Sequence, residues 1–273
     1  MPELPEVQTV VNFLEPLLRN KTFDSILPER NFNKVLVGKP LEFFKNQLKG
    51  QKVTRVWRRG KYIVLDLAIG HLLIHLRMTG QLFLKPPESE TKKHIRAVFQ
   101  FMDGPTMYFK DTRKFGRITF MESLDSLNSR LGLEPLSEAF TAEWLYRGFK
   151  SRNRMLKALL LDQSFIAGLG NIYVDEFLWS AGIHPRSISS RLGRQKITRL
   201  HSAIISGLKQ AIKLKGTTII NFTFGDGASG SYQENLKVFG KQKTPCPRCK
   251  TSLKKIYTSQ RGTHFCPRCQ IKQ

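Results

Sequence analysis

Four cysteines carry the plainest chemistry in this chain. All lie in its last 28 residues, as two copies of Cys-Pro-Arg-Cys: Cys246 to Cys249 and Cys266 to Cys269, with 16 residues between the pairs. Each pair offers two thiolates from one tight turn, and two such turns on a β-hairpin close a tetrahedral zinc site. Two disulfides or four free thiols are the other fates open to these residues; the ribbon-like spacing favours zinc. With cysteine in all four positions no coordination site is open, so one metal ion would be structural and not catalytic. The hairpin between the pairs holds Lys254, Lys255 and Arg261, and no acid occurs from Lys243 to Gln273. A rigid basic hairpin suits a phosphate contact.

A second candidate is "LDQSFIAGLGNIYVDE", residues 161–176. Gly168 and Gly170 permit close backbone approach, and Asn171 stands where the cap of a helix starting near Ile172 belongs. A helix start beside a glycine turn favours an anion through its free N–H groups and its dipole. Arg152, Arg154 and Lys157 just upstream add charge. The plain structural alternative is a helix hairpin with an ordinary cap. The third candidate is the chain start, "MPELPEV", where Pro2, Glu3 and Glu6 crowd the entry to a helix. Pro5 and Glu6 suit a first helical turn on their own account.

The elements that must carry these residues are readable in outline. Val7, Val10, Val11, Leu14, Leu17 and Leu18 recur at helical spacing over residues 5–18. From about 51 to 120, short alternating runs such as "KYIVLDL", "HLLIHL", "IRAVFQF" and "GRITF" predict the strands of a sandwich or barrel. After "GLEPLS" the character turns helical: "TAEWLYRGF", "SRNRMLKALLLDQ", "NIYVDEFLWSAGI" and "RQKITRLHSAIISGLKQAIKLKG" are amphipathic and mostly capped. The expected layout is an N-terminal domain at 1–131, a linker at 132–137, a helical domain at 138–242 with a glycine-rich loop at 224–233, and a zinc hairpin at 243–273.

Of the 273 residues, 45 are Lys or Arg and 21 are Asp or Glu, a formal charge of +24. That excess points to a polyanionic partner, most simply nucleic acid. No run approaches the ~18 apolar residues of a membrane span. The chain start has no basic-then-apolar leader and is acidic, which also speaks against a transit peptide. An intracellular, cytoplasmic location with reduced or metal-bound thiols is expected.

Taken in order, "MPELPEV", "AGLGNIYVDE" and "RGTHFCPRCQ" resemble bacterial formamidopyrimidine-DNA glycosylase, and the resemblance spans essentially the whole chain. It implies an α+β multidomain fold: an N-terminal β-sandwich with a leading helix, then a helix–two-turn–helix domain with a four-cysteine zinc-finger hairpin. It implies a bifunctional DNA glycosylase and abasic-site lyase of base-excision repair. Such an enzyme excises oxidised purines, chiefly 8-oxoguanine and formamidopyrimidines, from double-stranded DNA and nicks the strand by β- and δ-elimination. A monomer associated with the nucleoid is expected.

The resemblance also assigns roles. Removal of Met1 would make Pro2 the terminus. An α-amine titrates near ~8 against ~10.4 for lysine, so near pH 7 it is uncharged roughly a hundredfold more often. Its attack on a sugar carbon gives an iminium, an electron sink for elimination. Glu3 matches the family's catalytic acid, Lys61 the lysine assigned to β-elimination and phosphate contact, and Arg261 the hairpin arginine that grips phosphates at the lesion and is linked to δ-elimination, with Asn171 as its partner. Glu6 and Glu176 are weaker candidates for orienting the terminus. Met78, Arg113 and Phe115 match residues that fill the gap left by a flipped nucleotide. His75 and His94 match DNA-contacting histidines, and the loop at 224–233 a lesion-capping segment. Gln8, Asn153 and Phe239 depart from the common pattern, where an acid, a basic residue and a tyrosine are usual.

Two alternatives stay open on sequence. The endonuclease VIII branch prefers oxidised pyrimidines and typically has glycine where this chain has Leu4. A non-catalytic zinc-ribbon DNA-binding protein would explain the charge and the cysteines but gives no reason for Pro2-Glu3.

Overall fold

The repeat of Val7, Val10, Leu14 and Leu18 along one side produces helix α1, Leu4–Leu18, with these residues buried. The structure, a computed structural model, describes residues 1–28, 33–85, 92–217 and 230–273. Two four-stranded antiparallel sheets follow α1. One has the order β1-β6-β7-β5, built from Phe23–Pro28, Ile95–Phe101, Met107–Asp111 and Gly80–Phe83. The other is β2-β3-β4-β8, built from Val53–Arg59, Tyr62–Leu67, His71–His75 and Arg117–Met121. Phe23, Phe99 and Phe109 from the first sheet, Ile63, Leu65 and Ile74 from the second, and the apolar side of α1 share one core. The expected sandwich with a leading helix is therefore present.

Strand β1 and helix α2, Leu41–Leu48, have no counterpart in the sequence reading. "FDSILP" is short and interrupted by polar residues, so only its pairing with β6, including Ile26 opposite Phe99, makes it a strand. A short helix α3, Asp125–Asn128, ends this part of the chain.

Among the described residues four α-helices follow: α4 Ala142–Lys150, α5 Leu156–Leu161, α6 Asn171–Ala181 and α7 Arg194–Lys213. The Thr141 hydroxyl caps α4 by accepting the Trp144 N–H at 3.0 Å. Helix α5 is shorter than the helical pattern from Ser151 predicts. Met155 is extended, at φ −56° and ψ 130°, and bridges Ile188, which stops the helix at Leu156. The cysteine tail carries the hairpin β9 Lys254–Thr258 and β10 Arg261–Phe265.

The chain divides into two compact units, Met1–Asn128 with Leu214–Gln233, and Ser129–Lys213 with Glu234–Gln273. The expected helical domain at 138–242 is thus interrupted in space. The physical tie is Glu6, whose Oε1 accepts both the backbone N–H of Thr217, at 2.8 Å, and its hydroxyl, at 3.1 Å. The expected linker at 132–137 is stitched to the second unit: Gly132 and Leu133 donate to the carbonyls of Gln163 and Phe165. Of the glycine-rich loop, residues 224–229 lie outside the described residues. Among the described residues no helix is long and apolar enough to cross a membrane.

Candidate functional site

At the chain start, Pro2, Glu3 and Glu6 are all buried. Glu3 caps α1 and forms a reciprocal capping box with Glu6, whose Oε2 accepts the Glu3 N–H at 2.8 Å. The other oxygen of Glu6 is taken by Thr217. The Glu6 carboxylate therefore fixes the backbone on both sides of it: it aims the chain start and pins the segment that runs on from α7.

Lys61 lies in the turn between β2 and β3, after Gly60, which adopts φ +57°, a left-handed conformation that glycine adopts without steric cost. Lys61 is 6% exposed. Upstream, Arg58 donates to the Gly60 carbonyl at 3.1 Å and to Gln8 Oε1 at 3.0 Å. Gln8 thus keeps a hydrogen bond to Arg58 where a family acid would add a charge. His75 pairs with Tyr62 across β3 and β4, the two rings meeting edge to face at 4.7 Å. It is buried, and its Nδ1 accepts the Arg77 N–H at 3.0 Å. Burial, then the charges of Arg77 and Lys61, hold its pKa down at about 3, so the imidazole is neutral at pH 7. His94 is half-buried at the entry to β6, and its carbonyl accepts the Asp111 N–H.

Met78 and Phe115 are 43% and 45% exposed. The Arg113 guanidinium lies 5.0 Å from the Phe115 ring centre, a cation–π contact. The Met78 and Arg113 loops meet at Thr79, whose hydroxyl accepts the Arg113 N–H at 3.0 Å. The three residues expected to fill a gap in DNA thus belong to one joined surface of the first unit.

In the second unit, Asn171 is the first residue of α6, and the cap is Gly170. Its side chain does not cap the helix. Asn171 Nδ2 instead donates to the Gly262 carbonyl at 3.0 Å, so it holds the hairpin beside the exposed Arg261. The hairpin turn is tight: Ser259 and Gln260 have φ of +52° and +56°, both left-handed, and Arg261 pairs with Thr258. Arg152 stacks on Phe165 at 4.8 Å, and Arg154 pairs with Asp162 at 2.7 Å; both are exposed.

Two sequence expectations change here. Lys157, expected to add charge toward a phosphate, is 0% exposed. Its ammonium donates to Asp175 Oδ1 at 2.6 Å and to the Thr263 hydroxyl at 2.8 Å. The chain turns it inward because an isolated buried carboxylate at Asp175 would be costly. Glu176, expected to support the terminus, is also buried and committed. Its oxygens accept the N–H groups of Lys237, Val238 and Phe239 at 2.8–2.9 Å. Burial raises its pKa against the pull of those three donors. It anchors the chain leading to the cysteines.

The four cysteine sulfurs lie within 4.8 Å of one another, with Cys246 to Cys269 at 3.9 Å and Cys249 to Cys266 at 3.4 Å. Four sulfurs about 2.3 Å from one zinc ion would be about 3.8 Å apart, so the cluster fits one structural Zn²⁺. Cys246 and Cys266 share a small core with Trp179, Val238 and Leu253.

Residues that the sequence reading passed over tie these parts together: Thr79 and Asp111 in the first unit, Asp175 and Thr263 in the second. Asp175 had one signal, an acid beside Glu176, the two set between Val174 and Phe177 on an apolar helix. Thr79 and Asp111 had only their nearness to Met78 and Arg113.

Comparisons with known proteins agree along the whole chain. Family models match in order: the formamidopyrimidine-DNA glycosylase N-terminal domain at residues 1–118, its H2TH domain at 131–223, and a zinc finger found in FPG and IleRS at 244–271. The chain is 41% identical over 276 residues to the formamidopyrimidine-DNA glycosylase of Pediococcus pentosaceus, covering 99% of each. Among solved structures it resembles a Lactococcus lactis FPG mutant in complex with DNA containing Fapy-dG. The TM-score is 0.89 at 34% identity, over 99% of this chain and 100% of that one. It likewise resembles MutM in complex with DNA containing carbocyclic 8-oxo-G, with TM-score 0.89 and 35% identity, over 99% of this chain and 100% of that one.

Proposed function

The chain belongs to the formamidopyrimidine-DNA glycosylase family, and from that premise we propose how its residues act. It is a base-excision-repair DNA glycosylase with one structural zinc. Its partner is DNA, and its substrates are oxidised purines, in keeping with the Fapy-dG and 8-oxo-G lesions held by similar proteins. The observation that carries this reading is the exposed pair Met78 and Phe115 beside Arg113, on a chain of charge +24. A glycosylase must take the base out of the stack, and something apolar must take its place.

Chemistry starts once Met1 is removed and Pro2 carries a free secondary amine. The amine attacks C1′ of the damaged nucleotide. The bond from C1′ to the base breaks, and the base leaves with the electron pair and takes up a proton. As the amine loses its proton, the ring oxygen leaves C1′ and receives a proton from Glu3, leaving an iminium between Pro2 and the sugar. Lys61, as its free amine, takes up the C2′ proton, the electron pair passes through the enamine and expels the 3′ phosphate, and a second loss of a proton to solvent, with Arg261 on the phosphate, releases the 5′ phosphate. Arg261 and Asn171 hold phosphate at the lesion, and Arg152, Arg154 and His94 add contacts to the backbone. Four thiolates on a structural metal fit a reducing compartment, and the protein works there as a monomer on nucleoid DNA.

Borohydride reduction of the iminium tests the nucleophile. On an 8-oxoguanine:C duplex the wild type should crosslink, while Pro2→Gly or a chain with Met1 retained should crosslink far less yet still bind. Equal crosslinking by the Met1-retaining chain would remove Pro2 from this role. Faster excision from a thymine glycol:A duplex than from 8-oxoguanine:C would move the substrate to oxidised pyrimidines.

A further inference from the structure

Asp111 closes β7, is 1% exposed, and has both carboxylate oxygens engaged by donors of the protein itself. Oδ1 accepts the Thr79 hydroxyl at 2.5 Å and the Arg113 N–H at 3.2 Å. Oδ2 accepts the Gly116 N–H at 2.7 Å. The first of these partners adjoins Met78, and the other two bracket Phe115. One buried carboxylate therefore reaches both loops that present the wedge.

The backbone of Asp111 is itself fixed on both sides. Its N–H donates to the His94 carbonyl at 2.9 Å, and its carbonyl accepts Nε of the buried Arg96 at 2.9 Å. Across the sheet it pairs with Gly80, two residues after Met78. Each loop also contains a non-glycine residue in the left-handed region, Arg77 at φ +53° and Lys114 at φ +62°. Such conformations persist where the surroundings over-determine them. Gly116 lies directly on β7: a Cβ there would sit 2.3 Å from Phe109 Cζ and 3.1 Å from Asp111 Oδ2.

We propose that Asp111, through Thr79, is a positioning residue that locks the Met78 loop and the Arg113–Phe115 loop into one preformed wedge for base extrusion. The inference rests on the wedge reading of Met78, Arg113 and Phe115 given above. A wedge ordered before it meets DNA does not lose loop freedom during insertion. An ionised carboxylate suits the task because it only accepts, and four donor contacts converge on it and on Thr79. An amide at position 111 would set its NH₂ against the N–H of Gly116 or of Arg113, and neither backbone donor can turn to accept.

The test compares extrusion with chemistry that needs no base to leave the stack. Extrusion is read by 2-aminopurine fluorescence beside 8-oxoguanine and by single-turnover excision from the same duplex. Chemistry alone is read by borohydride trapping at a preformed abasic site. Asp111→Asn and Thr79→Val should slow extrusion and excision by roughly tenfold or more, and trapping by less than about threefold. Thr79→Ser keeps the hydroxyl and should restore rates close to wild type. Phe115→Ala separates the two levels. If it extrudes the base as fast as wild type, the wedge reading falls and the inference with it. If it is slow while Asp111→Asn and Thr79→Val match wild type, the inference alone falls. Equal losses in extrusion and trapping, or a Thr79→Ser no better than Thr79→Val, would also overturn it.

Discussion

Lys157 Nζ lies 2.6 Å from Asp175 Oδ1, and neither side chain reaches solvent. The second oxygen of Asp175 accepts the His264 N–H at 2.8 Å, and Lys157 also donates to the Thr263 hydroxyl. The ion pair thus grips β10 two and three residues after Arg261. The hairpin that presents Arg261 is held to α5 and α6 by buried charge as well as by its cysteines.

Removing one partner of this pair leaves a buried charge unpaired. Asp175→Asn should cost about 3–5 kcal/mol in the second unit, and the double variant Lys157→Met with Asp175→Leu much less. Urea unfolding of the zinc-loaded protein measures both. DNA affinity should stay low in the double variant, because the His264 N–H and the Thr263 hydroxyl have lost their anchors. Full DNA affinity there would show that the network does not position Arg261.

Zinc removal should act locally. Chelation frees four thiolates from one centre, and the small core of Trp179, Val238 and Leu253 loses its cross-link. DNA binding should fall at least about tenfold and return on adding Zn²⁺. The sandwich should keep its far-UV circular dichroism, because its core of Phe23, Phe99 and Ile74 involves no cysteine. Undiminished binding by metal-free protein would remove the hairpin from the interface.

The buried imidazole of His75 makes an acid-labile contribution to stability. Its folded pKa, about 3, lies below the ordinary 6.5. The contribution is therefore complete above about 6.5 and is lost as pH falls toward about 3, at up to about 1.4 kcal/mol per pH unit. His75→Asn can keep an acceptor for the Arg77 N–H and cannot take up that proton. Between pH 6 and 4 its unfolding free energy should fall less steeply than that of wild type, by about one proton. Parallel curves would mean that His75 is protonated without penalty.

Glu6 uses both oxygens, one on the Glu3 N–H and one on Thr217. Glu6→Gln keeps one acceptor and turns the other into a donor that opposes an N–H, a loss of about 1–3 kcal/mol. Crosslinking to an abasic site should slow while the affinity for undamaged duplex stays unchanged. Unchanged crosslinking would leave Glu6 as a helix-start acid only.

Much of the fold was legible because periodicity is a local property. The valines and leucines of α1, the alternating runs from β2 to β8 and the spacing of the cysteines each state their element within a few residues. Strand β1 was not legible, since its pairing partner β6 lies some seventy residues away. Helix α5 was overread because the bridge from Met155 to Ile188 is absent from any local window.

The site divides in the same way. Sequence by itself determined the four-cysteine cluster, the strong positive charge and the resemblance that singles out Pro2, Glu3, Lys61 and Arg261. These depend on residue identity and short spacing. Tertiary structure alone decided that Lys157 turns inward to Asp175, that Glu176 serves the 237–239 backbone, and that Glu6 reaches Thr217. It also decided that Asp111 gathers two loops. In each case a buried carboxylate had to find its donors. Beside any local donors, each one takes a donor from another segment (Thr79, Thr217, Lys157 or the 237–239 backbone), at a distance along the chain that no local pattern encodes.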